Sequence, residues 1–203
     1  MIAIVDYDMG NVASVANMLK RLGAPSVLTR DPAVLATAEK IILPGVGAFD
    51  KGMKNLAEFG LRASLDEAAL ERRVPILGIC LGMQLLTERS EEGNETGLGW
   101  IQAKTVRFRF PPQSPLKIPH MGWNYVRPVK SNPLISNTER SRFYFVHGYY
   151  VECSRQEDVL ATATYGSEFS CAVGRDNIFG VQFHPEKSHR FGMGLLEGFL
   201  RVS

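Results

Sequence analysis

A single cysteine stands between two glycines in the sequence GICLG, Gly78 to Gly82. The apolar stretch Val74 to Ile79 precedes it and a helical pattern begins at Leu81, so Cys80 lies where a strand would turn sharply into a helix. Such an elbow needs glycine neighbours, because side chains would crowd its backbone. A helix N-terminus also favours the thiolate, the form that attacks carbon. The pattern predicts a nucleophile at Cys80, and a small buried thiol in a tight turn is the alternative.

A second segment far along the chain, GVQFHPE, supplies the groups that a thiol nucleophile needs. The thiol requires a base to take its proton, and the base requires a third group to fix its tautomer. His184 and Glu186 are two residues apart, so in an extended segment they point the same way, and Pro185 stiffens the pair. His184 alone would more often be a hydrogen-bonded core histidine. Together with the elbow, it predicts a triad of Cys80, His184 and Glu186.

A glycine-rich segment, LPGVGAF, begins at Leu43 and follows an apolar strand. Attack on an amide carbonyl creates an oxyanion, and hydrogen-bond donors aimed at it can lower the barrier by ~3 to 4 kcal/mol. The backbone amide of Leu81 is one candidate donor. A second would come from Gly45, Val46 or Gly47. Taken alone, such a segment is more often only a turn between strand and helix.

These three segments resemble, in order and spacing, those of the class I (triad) glutamine amidotransferases. The resemblance extends to DYDMGN near the start, to IPHMGWN at Ile118–Asn124, to FYFVHGYY at Phe143–Tyr150 and to GVQFHPEKS. It runs from Asp6 to Ser188, nearly the whole chain. Within the family, PHMGWN and the PGVGAF form of the oxyanion segment are most similar to the glutaminase subunits of imidazole glycerol phosphate synthase.

The resemblance implies that the chain hydrolyses glutamine to glutamate and ammonia, with no cofactor and no metal. It also implies a partner, the TIM-barrel cyclase subunit HisF, in an expected one-to-one heterodimer. There the ammonia would serve the synthesis of imidazole glycerol phosphate and aminoimidazole carboxamide ribotide in histidine biosynthesis. Because an idling glutaminase would waste glutamine, we expect the isolated chain to be nearly inactive. A glutaminase subunit of pyridoxal phosphate, anthranilate or guanylate synthesis, and a noncatalytic scaffold, are the alternatives.

The resemblance also assigns binding residues. It implies that Gln84 and the backbone around Gly148 and Tyr149 hold the amino acid head of glutamine, although Gln84 could be a plain helix-surface amide. It implies that six residues lie at or near the partner surface: Asn11, Met121, Gly122, Trp123, Tyr144 and Lys187. These also have plainer explanations, respectively a helix cap for Asn11, a core aromatic for Trp123, a sheet residue for Tyr144 and an exposed charge for Lys187.

Two positions depart from the family pattern. Gly148 stands where a hydroxyl residue is common, and if that hydroxyl contributes to binding, the affinity for glutamine should be weaker. Asp8 stands where glycine is common, which should change only a turn. The other histidines, His120, His147 and His189, have no carboxylate two residues away, so each ranks below His184 as the base.

Composition favours one domain over residues 1–203, since this length with 45% hydrophobic residues can form a sizeable core. The net charge of +2 gives no electrostatic reason to bind nucleic acid or an acidic membrane. Three cysteines cannot form a complete set of disulfides, so reduced thiols and a cytoplasmic location are expected. No apolar run approaches the ~20 residues that a membrane span needs.

Strand and helix patterns alternate through the first half of the chain. Ile2 to Val5 reads as a strand, and the following helical pattern can be capped by Asn11 and ended by Gly23. The second half contains strand-like segments at 104–108, 124–129, 143–146, 159–164, 171–173 and 178–183, and then a helix from Phe191 to Leu200. We therefore predict an α/β fold with a mainly parallel central sheet, helices on both faces and antiparallel additions in the second half.

Overall fold

The structure is a computed structural model, and it describes residues 1–135 and 141–203. The strands are β1 (Ile2–Val5), β2 (Ser26–Thr29), β3 (Lys40–Gly45), β4 (Ile76–Cys80), β5 (Arg89–Ser90), β6 (Ala103–Arg107), β7 (His120–Tyr125), β8 (Arg127–Pro128), β9 (Arg142–His147), β10 (Tyr149–Cys153), β11 (Val159–Tyr165), β12 (Ser167–Arg175) and β13 (Ile178–Val181). The α-helices are α1 (Val12–Arg21), α2 (Pro32–Leu35), α3 (Phe49–Glu58), α4 (Leu61–Asp66), α5 (Leu81–Leu85) and α6 (His189–Leu200). A π-helical turn at Glu67–Glu71 continues α4, and short 3-10 turns lie at Gln156–Asp158 and Pro185–Lys187.

The main sheet has the strand order β2-β1-β3-β4-β13-β12-β10-β6-β5, with β11 added beside β12 and β8 beside β11. Pairing is parallel from β2 through β13. It becomes antiparallel where β12, β10 and β11 join. Strands β7 and β9 form a separate antiparallel pair. The predicted fold class, with a parallel centre and antiparallel additions from the second half, is confirmed.

Apolar side chains are buried on both faces of the sheet. Along β1, Ala3 and Val5 join the core cluster under α3, α4 and α5, whereas Ile2 and Ile4 join the cluster under α1 and α6. A strand that alternates between two buried faces must be apolar throughout, which is why β1 reads as a continuous hydrophobic run. None of the helices in the described residues is long and apolar enough to cross a lipid bilayer.

The predicted helix caps of the first half are present. The side chain of Asn11 accepts a hydrogen bond from the amide of Ser14 at 3.2 Å, which satisfies a donor at the start of α1. Gly23 follows the end of α1 in the left-handed region, with φ of +69°. These contacts fix where α1 begins and ends.

The second half differs from the predictions in detail. The strand predicted at 124–129 is instead β7, which begins at His120, followed by the short β8. Strand β10 was not predicted, and neither was the two-residue β5. All of these strands are defined by pairing with segments distant in sequence, as β7 is by β9, and a local pattern carries little of that information.

Close contact between β3 and the start of α5 positions the site. Gly45 of β3 pairs with Cys80 of β4 across the parallel register. A Cβ on Gly82, in the first turn of α5, would lie 1.8 Å from the carbonyl oxygen of Leu43. The helix can therefore approach the strand this closely only because residue 82 has no side chain.

This contact predicts opposite effects for two glycine-to-alanine variants in helices. Gly82→Ala should lower the free energy of unfolding by roughly 2 kcal/mol or more, because α5 must move away from β3. The matched control is Gly194→Ala in α6, where a Cβ would meet nothing within 4 Å and helix propensity should add about 0.5–1 kcal/mol. Urea unfolding of both variants measures this, and equal stability of Gly82→Ala and the parent would contradict the packing argument.

Candidate active site

Cys80 occupies the strand-to-helix elbow that its neighbours predict. Its φ of 53° and ψ of −108° lie in a region that residues with a side chain rarely adopt, at a cost of ~1–3 kcal/mol. The turn also depends on its glycines, since a Cβ on Gly78 would lie 2.7 Å from the backbone of Gly82. The surrounding sheet and helix thus hold the thiol in a strained geometry at the edge of a cavity.

His184 and Glu186 form a buried pair beside the elbow. Nδ1 of His184 lies 2.7 Å from Oε1 of Glu186, and both side chains are almost fully buried. The amide of His184 donates to the carbonyl of Tyr144 at 2.9 Å, which fixes the backbone of this segment. Nε2 of His184 is buried and has no hydrogen-bond partner in the described part of the chain. It is therefore available for proton exchange with the thiol of Cys80.

The charge state of His184 follows from opposing effects. Burial lowers its pKa, but the interactions with Cys80 and Glu186 together outweigh burial and raise the pKa to about 9. The contacts with the sulfur and the carboxylate thus favour the protonated form of the imidazole. Because this pKa lies above the usual ~6.5 of an unfolded chain, protonation stabilises the folded state fully below pH ~6.5 and that contribution is lost as the pH rises to about 9.

Gln182 is a site residue that the sequence reasoning missed. It is fully buried, and its Nε2 donates to the sulfur of Cys80 at 3.7 Å. Its Oε1 accepts a hydrogen bond from Nε2 of Gln84 at 3.2 Å. The signal was present in the sequence, because Gln182 precedes His184 by two residues and so shares its side of an extended segment.

The candidate oxyanion segment lies across from the elbow. Val46, Gly47 and Leu81 line the same cavity as Cys80, while Gly45 lies just behind them in register with Cys80. The DYDMGN loop packs against this segment, since a Cβ on Gly10 would lie 3.2 Å from the amide nitrogen of Val46. The structure thus brings the predicted donors to the edge of the site.

The cavity beside Cys80 has a volume of about 170 Å³. Its lining includes Gln84, Glu92, Gly148 and Tyr149, together with the oxyanion segment. Gln84 is only 5% exposed and donates to the carbonyl of Tyr149 at 3.3 Å, so the surface-amide explanation is wrong. Glu92, which the sequence reasoning missed, accepts a hydrogen bond from the amide of Phe49 at 2.8 Å. No local pattern distinguishes it from the other glutamates of the same polar stretch.

Both departures from the family pattern are accommodated locally. A Cβ at Gly148 would lie 3.3 Å from a methyl group of Ile118, so that side chain already occupies space next to the cavity. Asp8 has φ of 61°, in the left-handed region where glycine is favoured and aspartate is tolerated. Arg30 binds Asp8 at 2.7 Å and Asp6 at 2.8 Å, which holds this turn in place.

Four of the six predicted partner residues are exposed, and the other two are half-buried. Met121 is 63% and Trp123 43% exposed, so the core-aromatic explanation of Trp123 is wrong. The Trp123 ring stacks on His189 at 5.6 Å, and the ammonium of Lys187 lies 5.7 Å from the centre of the Tyr144 ring. Gly122 lies between the two exposed side chains with φ of +126°. Asn11 is exposed in addition to capping α1.

Comparisons with known proteins agree with this geometry. The family described as "Glutamine amidotransferase class-I" matches residues 3–201. The chain is 54% identical over 202 residues to "Imidazole glycerol phosphate synthase subunit HisH 2" of Methanococcus maripaludis, covering 99% of both chains. It is 51% identical over 203 residues to the protein of that same description from Pseudomonas aeruginosa, covering 100% of both.

Solved structures are similar in fold at low sequence identity. A crystal structure described as a glutamine amidotransferase superposes with a TM-score of 0.75 at 20% identity, covering 98% of this chain and 97% of that one. The structure of PurLQS from Thermotoga maritima superposes with a TM-score of 0.73, also at 20% identity, covering 98% and 96%. These two similarities concern the fold alone.

The contact between His184 and Glu186 predicts the effect of removing the carboxylate charge. In Glu186→Gln the pKa of His184 should fall from about 9, because one of the interactions that raises it is lost while burial still lowers it. Titration of the ring by NMR measures this shift. The control is Glu197→Gln on the exposed face of α6, which should leave the titration unchanged. An unaltered pKa in Glu186→Gln would contradict the pairing.

Proposed function

This chain belongs to the class-I glutamine amidotransferases, in the HisH family of glutaminase subunits, and from that premise we propose its catalytic groups and its partner. Its activity is the hydrolysis of glutamine to glutamate and ammonia for histidine biosynthesis. Residues 1–203 form one glutaminase domain. The observation that carries the assignment of roles is the position of His184, which interacts with Cys80 while Glu186 holds Nδ1 and Nε2 is buried with no hydrogen-bond partner among the described residues.

Cys80 is the nucleophile and His184 carries the proton. Nε2 of His184 takes the proton of the Cys80 thiol, the resulting thiolate attacks the δ-carbonyl carbon of glutamine, and the carbonyl electrons move to the oxygen. The amide of Leu81 and an amide of the Gly45–Gly47 segment, which includes Val46, donate to this oxyanion. His184 then gives its proton to the nitrogen, and ammonia leaves a glutamyl thioester on Cys80.

Hydrolysis of the thioester completes the cycle. His184 is now neutral, so it takes a proton from water as the water attacks the thioester carbon. The second oxyanion collapses, the carbon–sulfur bond breaks, and glutamate leaves with the thiolate restored and His184 protonated again. Glu186 remains ionised throughout and orients the imidazole.

The amino acid head of glutamine lies in the cavity lined by Gln84, Glu92, Gly148 and Tyr149. The Glu92 carboxylate is an acceptor suited to the α-ammonium group, and it is anchored by the amide of Phe49. Gln84 uses its Nε2 for Tyr149 and Gln182, which leaves its Oε1 to accept a hydrogen bond from substrate. The pocket thus complements a charged amino acid head.

The ammonia passes to a TIM-barrel cyclase subunit, HisF, in a one-to-one heterodimer. The relatives are subunits of imidazole glycerol phosphate synthase by name, which supports a partner subunit. The exposed Trp123 and Met121, and Lys187 over Tyr144, supply the aromatic and apolar anchors typical of interfaces, with Asn11 and Gly122 beside them. A sealed interface keeps ammonia unprotonated, whereas in neutral water it becomes ammonium and ceases to be a nucleophile.

Glutamate release from glutamine tests this function. The purified chain should be nearly inactive alone and should gain activity by orders of magnitude with the cyclase subunit and its phosphoribulosyl formimino carboxamide nucleotide. Stimulation by the barrel of a different synthase instead would reject the partner. Equal activity of the isolated chain would reject the dependence on a partner while leaving the triad in place.

The nucleophile has its own test. Cys80→Ala should reduce glutamate release in the complex by on the order of 10³-fold or more, while the complex still assembles. Cys171→Ala is the matched control, because that thiol is buried and does not line the cavity, so it should be dispensable for catalysis. Retained hydrolysis in Cys80→Ala would eliminate the triad assignment.

The role of Glu92 predicts a selective loss of binding. Glu92→Gln keeps an acceptor for the amide of Phe49 but loses the charge, so KM for glutamine should rise about tenfold or more with kcat nearly unchanged. Glu95→Gln is the control, because that carboxylate pairs with Lys54 at 3.8 Å and does not line the cavity, so KM should be unaltered. Steady-state kinetics of the complex compare the two variants. A loss of kcat without a change in KM would argue against contact with the ammonium group.

A further inference from the structure

Two buried histidines, His120 and His147, have no part in the chemistry above. Nδ1 of His120 lies 3.0 Å from Nε2 of His147, and Nδ1 of His147 lies 2.7 Å from the carbonyl oxygen of Tyr149. At the other end, Nδ2 of Asn124 lies 3.3 Å from Nε2 of His120. These contacts form a continuous chain from strand β7 to the wall of the glutamine cavity.

The direction of each of these hydrogen bonds follows from the protonation of the two rings and from the Tyr149 carbonyl. Burial lowers the pKa of His147 to about 3 and that of His120 to about 4, so both rings are neutral at neutral pH and carry one proton each. The carbonyl of Tyr149 can only accept, so the proton of His147 is on Nδ1 and its Nε2 must accept from His120. Nε2 of His120 then accepts from the amide of Asn124.

The series of hydrogen bonds continues beyond the cavity wall to the nucleophile. The Tyr149 carbonyl also accepts from Gln84 at 3.3 Å, and Gln84 donates to Gln182 at 3.2 Å. Gln182 in turn donates to the sulfur of Cys80 at 3.7 Å. One network of hydrogen bonds thus joins β7 to the reacting atom through the glutamine pocket.

Strand β7 presents different residues on its two sides. Met121, Trp123 and Tyr125 are exposed, whereas His120 is buried and Asn124 is half-buried, so the first members of the network lie opposite the exposed side chains. Any displacement of the strand therefore also moves His120. The backbone beside Tyr149 is held by β6, where Tyr149 pairs with Arg107 and the amide of Phe108 donates to the carbonyl of Gly148 at 3.1 Å. The carbonyl of Tyr149 is held separately, by His147 and Gln84.

We propose that His120 and His147 are positioning residues that fix the Tyr149 carbonyl in the substrate pocket and couple its position to that of strand β7. This inference rests on the proposed function, since it takes the pocket to be the glutamine site. A displacement of β7 from its Trp123 side therefore reaches Tyr149 through His120 and His147. From Tyr149 the same displacement reaches the nucleophile through Gln84 and Gln182.

His120→Phe tests the proposal in the complex with the cyclase subunit. The new ring can keep the stacking on Tyr165 and Phe145, whose ring centres lie 4.1 and 4.9 Å from that of His120, but it removes both hydrogen bonds. We expect KM for glutamine to rise about five- to tenfold with kcat nearly unchanged, and the stimulation by the cyclase subunit to shrink. His120→Gln, which keeps a donor and an acceptor, should recover part of the loss.

Two further variants separate positioning from general loosening. Phe110→Leu alters the same aromatic cluster without touching the hydrogen bonds, so its KM should match that of the parent. Asn124→Ala breaks the outermost link and should change KM in the same direction as His120→Phe but by less, and it serves if His120→Phe does not fold. An unchanged KM in His120→Phe, or an equal rise in Phe110→Leu, would overturn the proposal while glutamine hydrolysis by the parent leaves the proposed function intact.

A measurement without substrate tests the network independently. Long-range ¹H–¹⁵N NMR of the imidazole rings should show the Nδ1-protonated tautomer for both His120 and His147. The Nε2-protonated tautomer in either ring would overturn the network whatever the kinetics show. If the parent complex does not hydrolyse glutamine, the proposed function fails and the assignment of a substrate role to Tyr149 fails with it.

Discussion

The parallel pairing of β4 with both of its neighbours is the constraint on which the site depends. Gly45 at the end of β3 is in register with Cys80, and Val181 at the end of β13 is in register with Ile79. The candidate oxyanion segment, the proposed nucleophile and the proposed base lie at or just after the carboxyl ends of these three adjacent strands. A slip of one residue in either register would turn side chains to the opposite face and separate groups that are far apart in sequence.

The chemistry also depends on leaving buried polar atoms unsatisfied. Among the described residues, Nε2 of His184 and Oε2 of Glu186 are buried without hydrogen-bond partners, which normally costs ~1–3 kcal/mol for each atom. The positive φ of Cys80 adds a further free-energy cost. Burial of apolar side chains in the cores on both faces of the sheet must offset these costs. An Nε2 already satisfied by the protein would be a poorer partner for the thiol.

The sequence was sufficient for the elbow, for the placement of His184 beside Glu186 and for the parallel half of the sheet, because each follows from spacing over a few residues. It was not sufficient for Glu92, whose place in the cavity depends on where α3 and the following polar stretch meet. Nor could it relate His120 to His147, since their contact arises from the pairing of β7 with β9. A local pattern predicts on which face of a strand or helix a side chain lies. It does not predict which distant segment packs against that face, and the positions of Glu92, His120 and His147 depend on that packing.

Two segments of the fold connect exposed residues to the site. The DYDMGN loop reaches the oxyanion segment through the close approach of Gly10 to Gly45 and Val46, and it ends at the exposed Asn11. Strand β7 reaches the opposite wall of the cavity through His120 and His147, and it carries the exposed Trp123. A partner that covers both exposed residues would therefore act on the oxyanion donors and on the substrate pocket together. Control of this kind needs no contact between the partner and the reacting atoms, because a displacement of the exposed residues also displaces the segments that line the site.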